Sequence, residues 1–338
     1  MSKRVTLIRG DGIGPEIMEA TLRVIGALDV DIEWDEQQAG AGAFEKLGTP
    51  LPEETLASIA ETGVALKGPL ETPIGAGFRS VNVAIRKHFD LYGNVRPSRA
   101  IPGVNTRFSD LDLDLVVIRE NTEGAYIGIE HTIPPNRSAA ESIILVTRHG
   151  SERICKFAFE YARRHNRDKV TLIHKANILK ETSGLFLEVG RQVANRYDDI
   201  EYDEVIVDAM CMKLVTNPEQ YDVIVSTNLF GDILSDLTSG LVGGLGVTPG
   251  ANIGENCAMF EAVHGTAPDI AGQGKANPTA IMMAAVMMLE HLDYDAEAQR
   301  MREATHKVVG RGEEVTGDLG GSASTEEFTD AVLRELGA

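Results

Sequence analysis

Short apolar runs that end in polar turns recur along the chain, and stretches of helical period separate them. Residues 5–8, 32–34, 64–67, 115–118 and 170–173 read as strands, and 221–225 as a buried parallel strand. Residues 206–207 carry Asp208 to a further strand end. Helical periodicity predicts helices from about residue 15, over 53–62, 151–165 and 278–289, and from 296 onward. Strand and helix alternate throughout, which predicts a mainly parallel α/β architecture.

The stretch 225–246 organises the rest, entered by the apolar run 221–225. That run ends in the turn Ser226-Thr227-Asn228, and a helical pattern follows with Asp232 and Asp236 four residues apart. At 3.6 residues per turn both carboxylates share one helix face, among Leu229, Phe230, Ile233, Leu234 and Leu237. Two carboxylates near a core repel each other and resist desolvation unless a cation or a donor neutralises them. A hard divalent cation with its preference for oxygen ligands suits the pair. Two solvated aspartates would show the same spacing, so this stretch alone leaves both readings open.

Other polar residues gather at strand ends. Gly10, Gly12 and Gly14 follow the first strand, and Pro15 and Glu16 open a helix. These glycines do not make GxGxxG, and they suit a tight strand-to-helix turn at a ligand cleft better than a Rossmann fingerprint. Residues 67–97 bring Thr72, Ser80, Asn82, Arg86 and Arg96 within a loop, a helix and a strand. Arginines beside hydroxyl and amide donors suit a polycarboxylate, because guanidinium grips carboxylate in bidentate fashion. Arg119 and Tyr126 follow the strand at 115–118, at the edge where α/β sheets place ligands. Residues 127–147 read as an extended arm broken by Pro134-Pro135-Asn136, and the strand at 170–173 delivers His174 and Lys175. Residues 249–276 read as a long glycine-rich loop holding His264, Gly265, Thr266 and Asp269, with Asn277 just after it. Such loops in compact domains usually bind something.

Composition narrows the classes. A chain of 338 residues suffices for about two domains. With 43% hydrophobic and 25% charged residues it is of ordinary globular type. The net charge of −19 argues against nucleic acid or an anionic membrane as partner. Cys155, Cys211 and Cys257 are far apart and outside any CxxC pattern, and read as reduced, buried thiols. The opening residues carry no signal-peptide or transit-peptide pattern, and the most apolar helix is too short for a bilayer. The expectation is a soluble, cytoplasmic protein.

The gathered residue types define a chemistry. Asp208, Asp232 and Asp236 offer oxygens for Mg²⁺ or Mn²⁺, while Arg86, Arg96 and Arg119 offer carboxylate clamps. A divalent cation chelated by a 2-hydroxy acid acidifies its hydroxyl, polarises the new carbonyl and stabilises the enolate left by loss of CO₂. A lysine such as Lys175 could remove the hydroxyl proton, and a tyrosine such as Tyr126 could reprotonate the enolate carbon.

Eight motifs in order carry a resemblance that runs essentially end to end: GDGIGPE, LKGPLETP, RKHFDLYGNVRP, IRENTEGAY, HKAN, NLFGDILSDL, GLVGGLG and FEAVHGTAPDIAGQGKANP. The chain resembles the β-decarboxylating dehydrogenases, the family of isocitrate, 3-isopropylmalate and homoisocitrate dehydrogenases. That resemblance implies an isopropylmalate dehydrogenase-like fold. A large cofactor-binding domain would come from 1–98 and 249–338, and a small domain from 99–248, with the cleft between them. It implies a homodimer or higher homo-oligomer with a clasp at about 127–147. Carried over by motif, Arg86, Arg96 and Arg119 hold the substrate carboxylates, with Thr72, Ser80 and Asn82 beside them. Tyr126 and Lys175 become the acid–base pair, and Asp208, Asp232 and Asp236 the metal ligands. His264, Gly265, Thr266, Ala267, Asp269, Ile270 and Asn277 become the NAD site. In the family the lysine and the Asp208-type ligand come from the neighbouring subunit, so each active site would be shared.

Substrate and cofactor choice follow from two short segments. Residues 80–86, SVNVAIR, look like the isocitrate dehydrogenase pattern, in which Ser and Asn bind the γ-carboxylate. Isopropylmalate enzymes resemble it less, having apolar side chains there, and buried donors left unpaired penalise an apolar analogue heavily. Homoisocitrate enzymes commonly add a basic residue that is missing between Ser80 and Ile85, although Arg79 leaves room for a longer dicarboxylate. Asp269-Ile270 is similar to NAD-using members, where the aspartate binds the adenosine ribose and repels a 2′-phosphate. The expectation is NAD-dependent, metal-dependent oxidative decarboxylation of D-isocitrate to 2-oxoglutarate and CO₂. The alternatives are a homoisocitrate or 3-isopropylmalate dehydrogenase, or a non-catalytic regulatory subunit. A metal-dependent phosphoryl-transfer enzyme is disfavoured, because there is no P-loop.

Overall fold

The computed structural model describes residues 2–72 and 80–338, so Arg79 lies outside the described residues. The first third contains β1 (Lys3–Ile8), α1 (Gly14–Gly26), β2 (Ile32–Gln37), α2 (Ala41–Leu47), α3 (Glu53–Thr62), β3 (Val64–Lys67), α4 (Val81–His88) and β4 (Gly93–Arg99). The middle contains β5 (Asp114–Glu120), β6 (Glu130–Ile133), β7 (Ala139–Ser142), α5 (Arg148–Arg164), β8 (Lys169–His174), α6 (Thr182–Ala194), β9 (Glu201–Ile206), α7 (Val207–Thr216), β10 (Val223–Ser226) and α8 (Asn228–Leu241). The last third contains β11 (Pro249–Ile253), β12 (Ala258–Ala262), α9 (Thr279–His291), α10 (Asp295–Arg311) and α11 (Thr325–Leu336). The fold is mixed α/β with mostly parallel strands.

The chain forms two compact units. One comprises Met1–Phe89, Arg99–Asp112 and Ser239–Ala338, and the other Asp90–Ser98 and Leu113–Thr238. In the terminal unit the strand order is β2-β1-β3-β12-β11. β1, β2, β3 and β12 run parallel, and β11 returns antiparallel to β12. Pro at the first turn and Glu16 beside it start α1, and Gly63 ends α3 in the left-handed conformation. α9 is apolar on every side, and ten of its residues are buried, so it forms the centre of this unit's core.

In the middle unit the order is β4-β5-β10-β8-β9, with β5, β10, β8 and β9 parallel. The register pairs Ser226 with both Arg119 and Ile173, and His174 with Ile206. The residues that leave these strands therefore emerge along one edge. β6 and β7 form a separate antiparallel pair, exposed along both strands. Its neighbourhood exposes Ile129, Ile133, Ile143, Ile144 and Leu145.

Three expectations change. Residues 249–276 are not one loop, because β11 and β12 occupy the first half. β12 is buried at every position, which removes the polar alternation that would mark a half-exposed strand. Asp208 does not end a strand; it lies in the first turn of α7, which begins directly after β9. Cys155 and Cys257 are buried free thiols, while Cys211 is only half-buried. No helix among the described residues is long and apolar enough to cross a membrane.

Candidate active site

In the middle unit, Arg119 at the end of β5 is 2% exposed. Its Nε and Nη2 donate to Asn228 Oδ1 at 2.9 and 2.7 Å, and its Nη1 donates to Asp232. Tyr126 sits in the short turn Ala125–Ile127 and donates its hydroxyl to the other Asp232 oxygen at 2.5 Å. The Arg119 guanidinium lies 5.1 Å from the Tyr126 ring centroid, within cation–π reach. The turn is set by buried Glu120, whose carboxylate accepts from the amides of Thr122 and Glu123, each at 2.8 Å. Burial pushes the Tyr126 hydroxyl up, reinforced by Asp232.

Asp236 lies one turn beyond Asp232 on α8. Burial first, and then the Asp232 charge, push its carboxyl up, while Arg96 and Arg119 act in the opposite sense. Arg96 on β4 is 5% exposed and donates to Asn94 at 2.8 Å. So Arg96, Arg119, Tyr126, Asp232 and Asp236 act on one another. Lys175 and Asp208 form a separate pair at 2.5 Å, beyond the ends of β8 and β9. The lysine holds the Asp208 carboxyl below its usual range. Among the described residues no three His, Cys, Asp or Glu side chains are grouped to hold a metal ion. Asp208 thus does not join Asp232 and Asp236 within one chain.

In the terminal unit, Thr72 Oγ1 accepts from the Val81 amide at 3.2 Å, at the start of α4. Ser80 stands exposed at that helix start, and its hydroxyl makes no capping bond. Arg86 Nη2 donates to Glu261 Oε1 at 2.9 Å. Arg86 Nε and Asn82 Oδ1 are buried without a partner. Buried polar atoms are nearly always bonded, so two orphans on one short helix mark a place for a ligand.

The 263–278 segment rests on the glycine turn near the N-terminus. The Ile13 amide donates to the Thr266 carbonyl at 2.9 Å. A Cβ at Gly12, whose φ is +58°, would lie 2.0 Å from that same oxygen. Glu16 accepts from the amides of Gly274 and Ala276 at 3.2 and 2.9 Å. Thr325 on α11 donates to Glu16 and to the Ala276 carbonyl. Ala267 sits at φ +39°, where an L side chain is strained. His264 Nδ1 donates to the Gly265 carbonyl at 2.9 Å, and its Nε2 is buried without a partner. Burial holds this imidazole below its ordinary range. Asp269 is exposed and Ile270 half-buried. Asn277 is engaged internally, donating to Asp318 and accepting from the Thr279 amide, each at 2.9 Å.

A family model described as isocitrate/isopropylmalate dehydrogenase matches residues 4–332. The chain belongs to that family. It is similar to the isocitrate dehydrogenase of Methylococcus capsulatus, with a TM-score of 0.95 and 55% identity, covering 99% of both chains. It is 49% identical over 332 residues to the mitochondrial isocitrate dehydrogenase [NAD] catalytic subunit 5 of Arabidopsis thaliana, covering 98% of this chain and 88% of the relative. It is equally 49% identical, over 335 residues, to a mitochondrial regulatory subunit of isocitrate dehydrogenase [NAD] from Dictyostelium discoideum, covering 99% and 92%. Identity to family members therefore does not separate catalytic from regulatory subunits, and the side chains must. Three supporting residues were not singled out from the sequence: Asn228, Lys67 and Glu261. Asn228 was visible only as part of a polar turn. Glu261 had one signal, a carboxylate inside the apolar strand AMFEA.

Proposed function

We propose that this member of the family is a catalytic NAD-dependent isocitrate dehydrogenase. The arrangement of Arg119, Tyr126 and Asp232 carries the reading, because an arginine, a phenol and a carboxylate interlock where no purely structural need requires all three. A chain that only bound ligand would not need the phenol. Arg96, Arg119 and Arg86 take the carboxylates of a tricarboxylate, and the orphaned Arg86 Nε supplies a ready donor. Ser80 and Asn82 select isocitrate over an apolar analogue. Homoisocitrate and 3-isopropylmalate are the competing substrates.

Asp232 and Asp236 would hold a divalent cation, and their mutual repulsion together with the raised Asp236 carboxyl fits such a neutralising charge. When bound, the cation supplies Lewis-acid polarisation of the substrate hydroxyl and of the oxygen that becomes the carbonyl. Lys175 takes the hydroxyl proton, Tyr126 returns a proton to carbon, and the 263–278 segment holds NAD, with Asp269 selecting against a 2′-phosphate. Lys175 and Asp208 serve the site of a second copy of the chain, so the active species is a homodimer or larger. The exposed β6–β7 arm with its isoleucines supports that assembly.

A kcat/KM comparison tests the reading on the chain purified alone. It crosses D-isocitrate, homoisocitrate and 3-isopropylmalate with NAD⁺ and NADP⁺, with Mg²⁺ or a chelator. Isocitrate with NAD⁺ is expected to dominate, with activity lost to chelator and regained with Mg²⁺ or Mn²⁺. No turnover with any pair would transfer the chain to the regulatory class.

A further inference from the structure

Lys67 and Glu261 form a charged cluster with Arg86 inside the terminal unit, and the reaction outlined above uses neither of the first two. Lys67 closes β3, Glu261 lies in the adjacent parallel strand β12, and the register sets them opposite each other. Their side chains are 1% and 5% exposed. Lys67 Nζ donates to Glu261 Oε2 at 2.8 Å and to the Gly68 carbonyl at 2.9 Å. Glu261 Oε1 accepts from Arg86 Nη2 at 2.9 Å and from Asn252 Nδ2 at 2.8 Å.

Stability does not account for this cluster, because well-packed apolar residues usually serve as well as a buried ion pair or better. The one Glu261 carboxylate is shared by Lys67 and Arg86. One carboxylate for two cations leaves the cluster with a positive charge over. A guanidinium is a planar fork, so a fixed Nη2 fixes the plane and with it the direction of the Nε–H. That Nε is buried and without a partner.

We infer that Glu261 is a positioning residue: seated by Lys67 and Asn252, it holds the Arg86 guanidinium so that its open Nε edge and the cluster's surplus charge await a substrate carboxylate. The inference rests on the proposed role of Arg86 in substrate binding. Without Glu261, Arg86 regains its rotamers, and the neighbouring Lys67 cation drives it away from the preset orientation.

The test measures KM and kcat, isocitrate affinity by calorimetry, and thermal midpoint. It compares the wild type with Glu261→Gln, the double variant Lys67→Met/Glu261→Met, and Arg86→Ala. The double variant removes the ion pair without leaving a lone buried charge. It is expected to melt at or above the wild-type temperature and to bind isocitrate at least tenfold more weakly, as for loss of a charge-assisted hydrogen bond. Its KM for NAD⁺ should stay within twofold. Should the double variant fail to fold, Glu261→Gln must show the same split between the two KM values. Isocitrate binding at wild-type affinity in these variants, with binding lost in Arg86→Ala, overturns the positioning role and leaves the functional reading intact. A parallel rise in both KM values also overturns it, since that marks a merely structural group. Undiminished binding in Arg86→Ala, or none in the wild type, removes the functional reading on which the inference stands.

Discussion

Tyr126 and Arg119 meet on a single carboxylate, one on each oxygen of Asp232. The phenol is thereby held in place by a group that also faces a buried cation. Replacing Tyr126 with Phe removes the proton donor and leaves the ring over Arg119. The expected outcome is a fall in kcat of about 10²- to 10⁴-fold, the range for loss of a general acid, with a much smaller change in KM for isocitrate. Steady-state kinetics with Mn²⁺ held saturating separates the two effects.

Gly231 packs against the same arginine. A Cβ there would lie 2.7 Å from Arg119 Cβ and Cγ, closer than real atoms approach. Alanine would favour the helix by about 1 kcal/mol through propensity, yet the clash falls on a nearly fully buried side chain that cannot swing away. Gly231→Ala should therefore lower the thermal midpoint and raise KM for isocitrate. A stabilised variant with unchanged kinetics would show that α8 has room to move.

Cofactor preference should turn on two positions. Asp269 is exposed, so changing it places no charge in the core. The pair Asp269→Lys and Ile270→Tyr is expected to shift the ratio of kcat/KM for NADP⁺ over NAD⁺ by about 10² or more, since a repulsive charge is exchanged for an attractive one. Unchanged preference would relocate cofactor selection elsewhere on the 263–278 segment.

His306 on α10 makes stability depend on pH. Burial, and then Arg99 and Arg302, pull its imidazole from 6.5 to about 4. Below pH 6.5 the unfolded chain binds a proton that the folded chain refuses until about pH 4, so stability falls as pH falls through that window. At 1.36 kcal/mol per unit the loss is about 2–3 kcal/mol near the acid end. Urea melts between pH 7 and 4.5 should show it, and His306→Gln should flatten the slope.

Much of this was legible in the chain. The strands at 64–67 and 221–225 are apolar runs with clear ends, and the Asp232/Asp236 spacing fixes a shared helix face wherever a helix forms. What stayed hidden depends on contacts between distant segments. Nothing near Asn228 says that it clamps an arginine 109 positions earlier. Nothing near Asn277 says that its amide is engaged by Asp318. The strands β11 and β12 were obscured because small residues and glycines look like a loop until the neighbouring strand is known. The two readings of the aspartate pair diverge in the structure: Asp232 is engaged by Arg119 and Tyr126, whereas Asp236 is open to solvent over much of its surface, with its carboxyl pushed up by partial burial and then by the Asp232 charge.

Glu16 and Thr325 are 309 positions apart, and both fasten the segment at 274–276. A ribosome makes Glu16 long before Thr325. The 263–278 segment can therefore be chemically complete well before it is held in shape, and it gains its last anchor only when α11 has been synthesised. Nascent chains arrested before residue 325 should carry every residue proposed to bind NAD and still bind it poorly.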